Sequence, residues 1–317
     1  MSNKIAFLFP GQGSQTTGMG LDLYKTCERA KNVFDKADEI LGRKISKICF
    51  EGTEDELKQT INTQPAIVTT SIAILESLKS KFEIKPEFVA GHSLGEYCAM
   101  YCAGVMDLET TLKTIQKRAE LMSELKGGSM SAVIGATDEQ IQNAIKEGSK
   151  VGYVDIANFN SPVQIVLTGD ENAVKIAGEY LLANGVKRVI PLAVSGAFHS
   201  KYLENAGQIF KEFLNDFTLN DAKIPVIMNV DAEITTKGSD FADKMPKQIY
   251  SSVHWTQTIQ KMIEEGVDTF IEIGSGKVLA GLNRKIAPEA KVLNIYDTES
   301  LNSVLDEIAE PQHFGIV

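Results

Sequence analysis

The sequence has little that would mark a secreted, disulfide-stabilised or membrane protein. Its 317 residues include only four cysteines, and two of these, Cys98 and Cys102, are spaced to share one face of a helix. No second pair of ligands stands nearby, so packing is favoured over a zinc site or a disulfide framework. The apolar stretch before Pro10 is about five residues long, far short of the roughly 20 that span a membrane. We therefore expect no membrane segment and a cytoplasmic protein.

Positive charge is also in the minority. There are 32 Lys and Arg residues against 42 Asp and Glu, which gives a formal net charge of -10. Surfaces that bind nucleic acid are usually basic, so nucleic acid is not an expected partner. The composition, 43% apolar and 23% charged, is typical of one large or two modest folded domains. The oligomeric state is left open, with a monomer as the default expectation.

The N-terminal part predicts strands that alternate with helices. Residues 4–9 form a short apolar run, ended by the turn signal "PGQGSQ", and helical patterns continue to about residue 80. A second buried strand, "EFVAG", is followed by a helix that carries Gly95, Ala99 and Ala103 at four-residue intervals. Small residues on one face let a helix lie close against a sheet.

The pattern changes at about residue 129. A strand and a helix are followed by two strands that we expect to join at Asn160, then by a helix with Asp170 at its N-cap and a final strand. This β-α-β-β-α-β order is the ferredoxin-like unit. Strands and helices alternate again after it, and the chain ends in a predicted helix with a loose end.

These patterns predict an α/β fold with a parallel sheet and an inserted subdomain. The α/β core would consist of residues 1–127 and 197–297, the ferredoxin-like subdomain of residues 128–196, and the C-terminal tail of residues 298–317.

The segment "GHSLG" places Ser93 in a G-x-S-x-G pattern. In a nucleophile elbow the glycines relieve crowding around a strained turn between a strand and a helix, so that the hydroxyl projects toward substrate. The pattern fixes only three positions, but the predicted strand and helix on either side supply the required context. Ser93 is therefore favoured as a nucleophile, with a turn serine as the alternative.

A serine nucleophile needs a base, and four histidines are candidates. His92 is expected to point away from its neighbour Ser93, and His313 lies in the tail. His254 precedes the single tryptophan, whereas His199 lies where the predicted insertion ends and the core resumes. Because a junction between domains is a natural cleft wall, His199 is the favoured general base, with a capping or packing histidine as the alternative.

Two glycine-rich loops lack residues that nucleotide-binding loops require. "FPGQGSQ" has Thr16 where the third glycine of G-x-G-x-x-G would stand. "GSGKV" has Val278 where a phosphate loop has Ser or Thr, and Ile271 stands at the position of that loop's leading glycine. Both nucleotide interpretations fail. The first loop could instead present the N–H of Gln12 to an oxyanion together with that of Leu94, and a plain turn is the alternative.

Seven segments in order resemble the malonyl-CoA:acyl-carrier-protein transacylases over nearly the whole chain. They are "FPGQGSQ", "NTQPAI", "GHSLGEY", "QKRAELM", "ANFNSPVQIVLTG", "SGAFHS" and "EIGSGKVL". The resemblance implies an α/β-hydrolase-like core with an inserted ferredoxin-like subdomain, in agreement with the division above. It implies ping-pong transfer of malonyl from malonyl-CoA to the phosphopantetheine thiol of an acyl carrier protein, in polyketide or fatty-acid biosynthesis. Coenzyme A thioester is then a substrate, and neither a cofactor nor a metal is implied.

The resemblance also implies residue roles. Ser93 would carry the malonyl ester, His199 would act as base and then acid, and the N–H groups of Gln12 and Leu94 would form the oxyanion hole. Arg118, which looks like an ordinary surface arginine on a helix, would bind the malonyl carboxylate, because a guanidinium matches a carboxylate bidentately.

Further roles follow from the same resemblance. Gln64, Asn160 and Phe198 would bind substrate, and Phe198 is the malonyl-type signature, since methylmalonyl-selective relatives have a smaller residue there. Family members orient the catalytic histidine with a backbone carbonyl in the segment that reads "SSVHW" here, so the carbonyl of His254 is expected to orient His199. No triad aspartate is assigned.

Two alternatives stay open. The residues of "VDIANFNSP" and "RAELM" resemble those of discrete acyltransferases that load modular polyketide synthases in trans more than those of housekeeping fatty-acid enzymes. A related group hydrolyses stalled acyl chains on carrier proteins. Because that group usually lacks the carboxylate-binding arginine, Arg118 argues against it.

Overall fold

The structure is a computed structural model that describes residues 4–309. Within that range the strands are β1 (Ile5–Phe9), β2 (Phe88–Gly91), β3 (Ser129–Ile134), β4 (Val154–Ser161), β5 (Gln164–Gly169), β6 (Arg188–Pro191), β7 (Val226–Ile227), β8 (Ile234–Thr235), β9 (Thr269–Ile273) and β10 (Lys291–Ile295).

The helices of the same range surround these strands. They are α1 (Leu21–Thr26), α2 (Glu28–Leu41), α3 (Ile45–Glu51), α4 (Glu54–Lys58), α5 (Thr60–Lys81), α6 (Gly95–Cys102), α7 (Leu108–Ser123), α8 (Asp138–Gly148), α9 (Glu171–Ala183), α10 (Glu204–Leu214), α11 (Gly238–Tyr250), α12 (Trp255–Glu264), α13 (Val278–Ile286) and α14 (Thr298–Ala309). A short 3₁₀ turn, Lys201–Leu203, precedes α10. No helix of the described part of the chain has the length and apolarity needed to cross a membrane.

The larger sheet has the strand order β10-β9-β1-β2-β7-β8. Its strands are parallel except for β8, which pairs antiparallel with β7. Strand β1 is buried from both sides: Phe7 and Phe9 pack against one helical layer, and Ala6 and Leu8 against the other. A parallel strand covered by helices on both faces requires a continuous apolar sequence, which explains the run of apolar residues in β1.

Three loops of this sheet meet at one edge. β1 and β2 are aligned so that Phe9 lies beside Gly91, and β7 follows β2 in the sheet. Because these strands are parallel, the loops after them emerge on the same side, and ligands of open α/β sheets bind at such carboxyl ends. Helix α6 lies close to the sheet here, since a Cβ atom at Gly95 would stand 2.2 Å from Phe9 O.

The smaller sheet is antiparallel, with the order β4-β5-β3-β6. Helices α8 and α9 bury its apolar face in a separate core cluster. The predicted order β-α-β-β-α-β is confirmed, and so is the α/β fold class with a parallel-rich sheet and a second sheet. The domain boundaries stay a prediction.

Of two local predictions about the smaller sheet, the strand junction at Asn160 is wrong and the N-cap at Asp170 is confirmed. Asn160 lies within β4, and the chain turns instead at Pro162 and Val163, because proline has no N–H to give to a strand ladder. Asp170 does occupy the N-cap position of α9, but its side chain makes no capping bond. Its carboxylate accepts hydrogen bonds from the backbone of Tyr153 and the hydroxyl of Tyr202. The predicted C-terminal helix is α14, and the expected loose end with His313 lies outside the described residues.

Candidate active site

Ser93 lies in a sharp turn between β2 and α6. Its φ angle of 51° is in the left-handed region, which costs a residue other than glycine about 1–3 kcal/mol. The turn is so tight that a Cβ atom at Gly91 would stand 1.9 Å from the carbonyl carbon of Gly95. The two glycines of the motif are therefore required by the close approach of the backbone, as expected for a nucleophile elbow.

The structure brings Ser93 and His199 together from positions 106 residues apart. Ser93 Oγ is 2.8 Å from His199 Nε2. On the other side of the ring, Nδ1 lies 3.0 Å from Gln248 O and 3.1 Å from Ser251 O. Carbonyl oxygens only accept, so Nδ1 carries the hydrogen and Nε2 is left with its lone pair toward the serine hydroxyl. This arrangement suits general-base catalysis without a carboxylate.

The prediction that the carbonyl of His254 orients His199 is wrong. One of the two carbonyls that contact His199 Nδ1, that of Ser251, nevertheless belongs to the predicted segment "SSVHW". His254 is the N-cap residue of α12, and its carbonyl accepts the N–H of Thr258 at 2.9 Å. Its imidazole stacks on Phe159, with ring centroids 5.1 Å apart. The carbonyl is therefore occupied by the first turn of the helix, and the chain just before it provides the orienting oxygens.

His199 is held in its neutral form. Burial lowers its pKa to about 3, and the nearby positive charge of Arg118 and the ring of His92 act in the same direction. The hydrogen bonds to Gln248 O and Ser251 O oppose this shift without cancelling it. A neutral imidazole at neutral pH is ready to accept the proton of Ser93.

Arg118 is buried on α7 and is 1% exposed, in contrast to the surface position that its helix pattern indicates. Its Nη1 donates to Gln64 Oε1 at 2.7 Å, and its Nη2 donates to Gln248 Oε1 at 2.9 Å and to Ser93 Oγ at 3.1 Å. The guanidinium lies 5.8 Å from the ring centroid of Tyr97. Its polar partners are thus two neutral carboxamides and a hydroxyl.

The carboxyl group of Glu96, whose charge acts on Arg118, is shifted toward its neutral form. Burial raises the pKa of Glu96 to about 8, although the backbone N–H of Asn229 and the charge of Arg118 act to lower it. Burial also lowers the pKa of Arg118. A buried cation with only neutral partners is a favourable site for an anionic group of a ligand, since unpaired buried charge is costly.

Two backbone N–H groups are available for an oxyanion. Both Gln12 and Leu94 border the cavity at Ser93, and neither backbone N–H has a hydrogen-bond acceptor among residues 4–309. The N–H of Ser93, in contrast, donates to Asn229 Oδ1 at 2.7 Å. This geometry agrees with the pair that the sequence predicts.

The cavity at Ser93 has a volume of about 100 Å³. That is roughly the share of three waters in the liquid, which suits an acyl group of a few atoms. The predicted site residues that line the cavity are Gln12, Gln64, Ser93, Leu94, Arg118, Phe198 and His199.

Asn160 is not among these lining residues. Its Oδ1 is 2.8 Å from His92 Nε2, so its side chain is engaged beside the cavity. Asn158, two positions earlier in β4, borders the cavity instead. His92 turns its Nε2 toward Asn160 and its ring also borders the cavity, so that its pointing away from Ser93 stays a prediction.

Sequence reasoning missed Gln248, Asn229 and Glu96. Gln248 lies on an amphipathic helix and has no local signal, while Glu96 lies next to the serine motif in an ordinary helical position. Asn229 has a weak signal, because it is a polar residue directly after a buried parallel strand.

The site is built from groups that do not form a metal centre. Among the described residues, no group of three or more His, Cys, Asp and Glu side chains could hold a metal ion.

Comparisons with known proteins agree with this geometry. Residues 6–294 match the family described as acyl transferase domain. The chain is 44% identical over 312 residues to the malonyl CoA-acyl carrier protein transacylase of Bacillus subtilis strain 168, covering 97% of this chain and 98% of that protein. It is 42% identical over 291 residues to the polyketide biosynthesis malonyl CoA-acyl carrier protein transacylase of the same organism, covering 91% and 99%.

A solved structure has a similar fold. It is a type II polyketide synthase acyl-carrier protein in complex with its malonyl-transacylase, and the similarity has a TM-score of 0.93 at 36% identity, covering 96% of this chain and 100% of that one.

Proposed function

The chain belongs to the acyl transferase domain family, and from this premise we propose that it transfers malonyl from malonyl-CoA to an acyl carrier protein. The acceptor is the phosphopantetheine thiol of the carrier protein, and the intermediate is a malonyl ester on Ser93. The reaction is ping-pong, because both half-reactions use the same serine and the same histidine.

In the first half-reaction, Ser93 Oγ attacks the thioester carbonyl while its proton passes to His199 Nε2, 2.8 Å away. The negative charge on the carbonyl oxygen is accepted by the N–H groups of Gln12 and Leu94. Collapse of this intermediate breaks the carbon–sulfur bond, and the departing coenzyme A thiolate takes the proton from His199. The products are malonyl-Ser93 and free coenzyme A.

The second half-reaction runs the same steps with a different thiol. The carrier-protein thiol gives its proton to His199 and attacks the ester carbonyl, and the same two N–H groups stabilise the oxyanion. Collapse breaks the bond to Ser93 Oγ, which recovers the proton. The chemistry needs a thioester, a hydroxyl and an imidazole, so no cofactor is part of the proposal.

Arg118 is the single observation that carries the choice of malonyl. Its buried guanidinium contacts Ser93 Oγ at 3.1 Å, close enough for a carboxylate on a three-carbon acyl group to reach it. A carboxylate would pair with this cation bidentately, whereas an acetyl group would leave it without a counter-charge. The same contact favours transfer of malonyl over hydrolysis of uncharged acyl chains.

We also propose a polyketide carrier protein as the acceptor and a monomer as the active form. The polyketide acceptor is supported by the resemblance of "VDIANFNSP" and "RAELM" to the discrete polyketide acyltransferases. The monomer is supported by the fact that one chain provides Ser93, His199 and Arg118. Rates of transfer to a panel of fatty-acid and polyketide carrier proteins test the acceptor, since equal rates would remove its support. Size-exclusion chromatography with light scattering tests the monomer.

The proposed function is tested by measuring malonylation of Ser93 and then transfer of the malonyl group to a carrier protein. Incubation with malonyl-CoA should add one malonyl group to the intact protein, and Ser93→Ala should abolish this mass shift. Ser123→Ala, on α7 and bonded only to its own helix, is the matched control that should keep it. A holo carrier protein should then collect the group; release of free malonate in its place would identify a hydrolase, and a label that persists in Ser93→Ala would show a different nucleophile.

A further inference from the structure

Two buried carboxamides hold the backbone of Ser93. Asn229, which follows β7, accepts the N–H of Ser93 at 2.7 Å and donates from Nδ2 to Gly91 O at 2.8 Å. Gln248, on α11, donates from Nε2 to Ser93 O at 2.8 Å and to Asn229 Oδ1 at 3.3 Å. The main-chain N–H of the nucleophile is therefore fixed by the side chain of Asn229, and its carbonyl oxygen is held by Gln248 and by the N–H of Glu96 at 3.1 Å.

These contacts determine where the oxyanion donor points. Ser93 O and the N–H of Leu94 belong to one planar trans peptide group, in which they face opposite directions. Because Gln248 and the N–H of Glu96 hold the oxygen, the N–H of Leu94 is directed the other way, and Leu94 borders the cavity. Because Asn229 holds the N–H of Ser93, the preceding peptide group cannot rotate and Ser93 keeps its left-handed conformation.

Asn229 is itself held from two sides. The buried carboxyl group of Glu96 accepts the backbone N–H of Asn229 through Oε1, and the carbonyl of Asn229 accepts the N–H of His254 at 3.0 Å. Glu96 lies on α6, three residues after Ser93. The bond from Ser93 N–H to the Asn229 side chain, the bond from Asn229 N–H to Glu96 and the chain from Ser93 to Glu96 therefore form a closed ring around the elbow. Every member of this ring is nearly or completely buried, apart from the serine that must reach the substrate.

We propose that Asn229 is a positioning residue for acyl transfer, which, held by Glu96, sets the Ser93 elbow so that Leu94 N–H rather than Ser93 N–H faces the reacting carbonyl oxygen. The proposal rests on the proposed function and deepens its oxyanion step. Asn229 does not touch substrate, so its loss should lower kcat and leave KM for malonyl-CoA nearly unchanged, since the carboxylate contact at Arg118 is made by other residues.

The first test is Asn229→Ala. The rate constant for malonylation of Ser93 should fall about 10- to 100-fold, because loss of an oxyanion donor costs about 100- to 1,000-fold and a misdirected donor retains part of its effect. KM for malonyl-CoA should stay within about threefold. Asn62→Ala is the matched control: this buried carboxamide also accepts one bond, from Arg43 at 2.6 Å, and donates one, to Glu56 O at 3.0 Å.

The second test, Asn229→Asp, separates positioning from a purely structural role. A protonated aspartic acid reproduces the pattern of Asn229, with one oxygen accepting from Ser93 and an O–H donating to Gly91 O. Its ionised form has no donor for Gly91 O. The ratio of the rate of Asn229→Asp to that of the unaltered enzyme should therefore fall as the pH rises, while the ratio for Asn62→Asp stays level.

The ionisable groups around the new carboxyl belong to several elements. They are Glu96 on α6, Arg118 on α7, His199, Asp231, Lys244 on α11 and His254. All are also present in the unaltered enzyme, so taking the ratio at each pH compares both proteins with the same set of groups.

Clear results would overturn the proposal. One is Asn229→Ala with kcat within threefold of the unaltered enzyme and only a lower urea midpoint; another is a level pH ratio for Asn229→Asp. If Asn229→Ala does not fold, Asn229→Asp at low pH, with its bonding pattern intact, carries the test.

Failure of the proposed function is a separate result, in which the unaltered enzyme forms no malonyl ester on Ser93. The same rate ratios are then measured with p-nitrophenyl acetate, because its hydrolysis needs the elbow but no carboxylate site.

Discussion

Arg118 Nη2 donates a hydrogen bond to Ser93 Oγ at 3.1 Å, so the proposed carboxylate-binding group lies in direct contact with the nucleophile. The buried cation beside this hydroxyl favours the developing negative charge on oxygen and disfavours protonation of His199. A bound carboxylate would neutralise the cation. One residue therefore links the choice of acyl group to the protonation of the catalytic pair.

Arg118→Ala should change the acyl selectivity. We expect kcat/KM for malonyl-CoA to fall about 100-fold, or ~3 kcal/mol, since a buried charge pair would be lost. The value for acetyl-CoA should change much less, because acetyl has no charge to pair. Steady-state transfer rates with both thioesters measure the change, and Lys113→Ala, on the exposed side of the same helix, is the control. Unchanged malonyl selectivity would remove the carboxylate argument.

The low pKa of His199 predicts an unusual pH profile. A histidine acts as base only above its pKa, so lowering the pKa to about 3 extends the active range toward acid. We expect kcat/KM for malonyl-CoA to stay level between about pH 7 and pH 5, with no fall near the ordinary value of 6.5. Stopped-time assays across this range measure it. An acid limb centred at 6.5 would show that the imidazole is not held neutral as the structure indicates.

The charge of Arg118 predicts a second change in pH dependence, through the pKa of His199. Burial is the largest cause of the low pKa of His199, and the charge of Arg118 is the second. Arg118→Ala should therefore raise the pKa of His199 toward its ordinary value, and the acid limb of kcat/KM for acetyl-CoA should move to higher pH in the variant. Identical limbs in both proteins would contradict the electrostatic link.

Phe198 should limit the size of the acyl group. It is 4% exposed and borders the cavity, and its carbonyl accepts a hydrogen bond from Thr168 at 2.9 Å, which keeps the backbone in place. Phe198→Ser should raise kcat/KM for methylmalonyl-CoA relative to malonyl-CoA about 10-fold, since one methyl group is worth about 1–3 kcal/mol in a pocket. Competition between the two thioesters measures the ratio. A ratio unchanged from that of the unaltered enzyme would place the size limit elsewhere in the cavity.

Glu272 predicts a pH-dependent contribution to stability. Burial raises its pKa from 4.5 to about 7, although the N–H groups of Leu279 and Ala280 donate to its carboxylate and lower it. The folded state thus binds a proton that the unfolded state has lost, so the contribution is fully present below 4.5 and declines as the pH rises through about 7.

Glu272→Gln should isolate this contribution, because glutamine does not titrate. The difference in unfolding free energy between the unaltered protein and the variant should decline with rising pH by about 1.4 kcal/mol per unit between the two pKa values. Urea unfolding at several pH values measures it, with the exposed Glu264→Gln as the control. A constant difference across the range would show that Glu272 titrates normally.

The parts of the structure that local sequence determines were predicted well. Strand β1 and the elbow at Ser93 depend on neighbouring residues: an apolar run buried on both faces, and a glycine at position 91, where a Cβ atom would stand 1.9 Å from the carbonyl carbon of Gly95. The ferredoxin-like order also follows from patterns within single elements. The error at Asn160 was local too, since the chemistry of Pro162 favours a turn two residues later.

The sequence by itself therefore determined the order of strands and helices around the smaller sheet and the glycine-constrained elbow that holds Ser93, because each depends on contacts between residues close along the chain. Only the tertiary structure decided that Arg118 is buried, that Gln248 and Ser251 rather than His254 orient His199, and that Asn229 holds Ser93. These contacts join segments separated by 25 to 136 residues. They depend on how parallel strands align and on which helix covers which edge, and no periodicity within one segment carries that information.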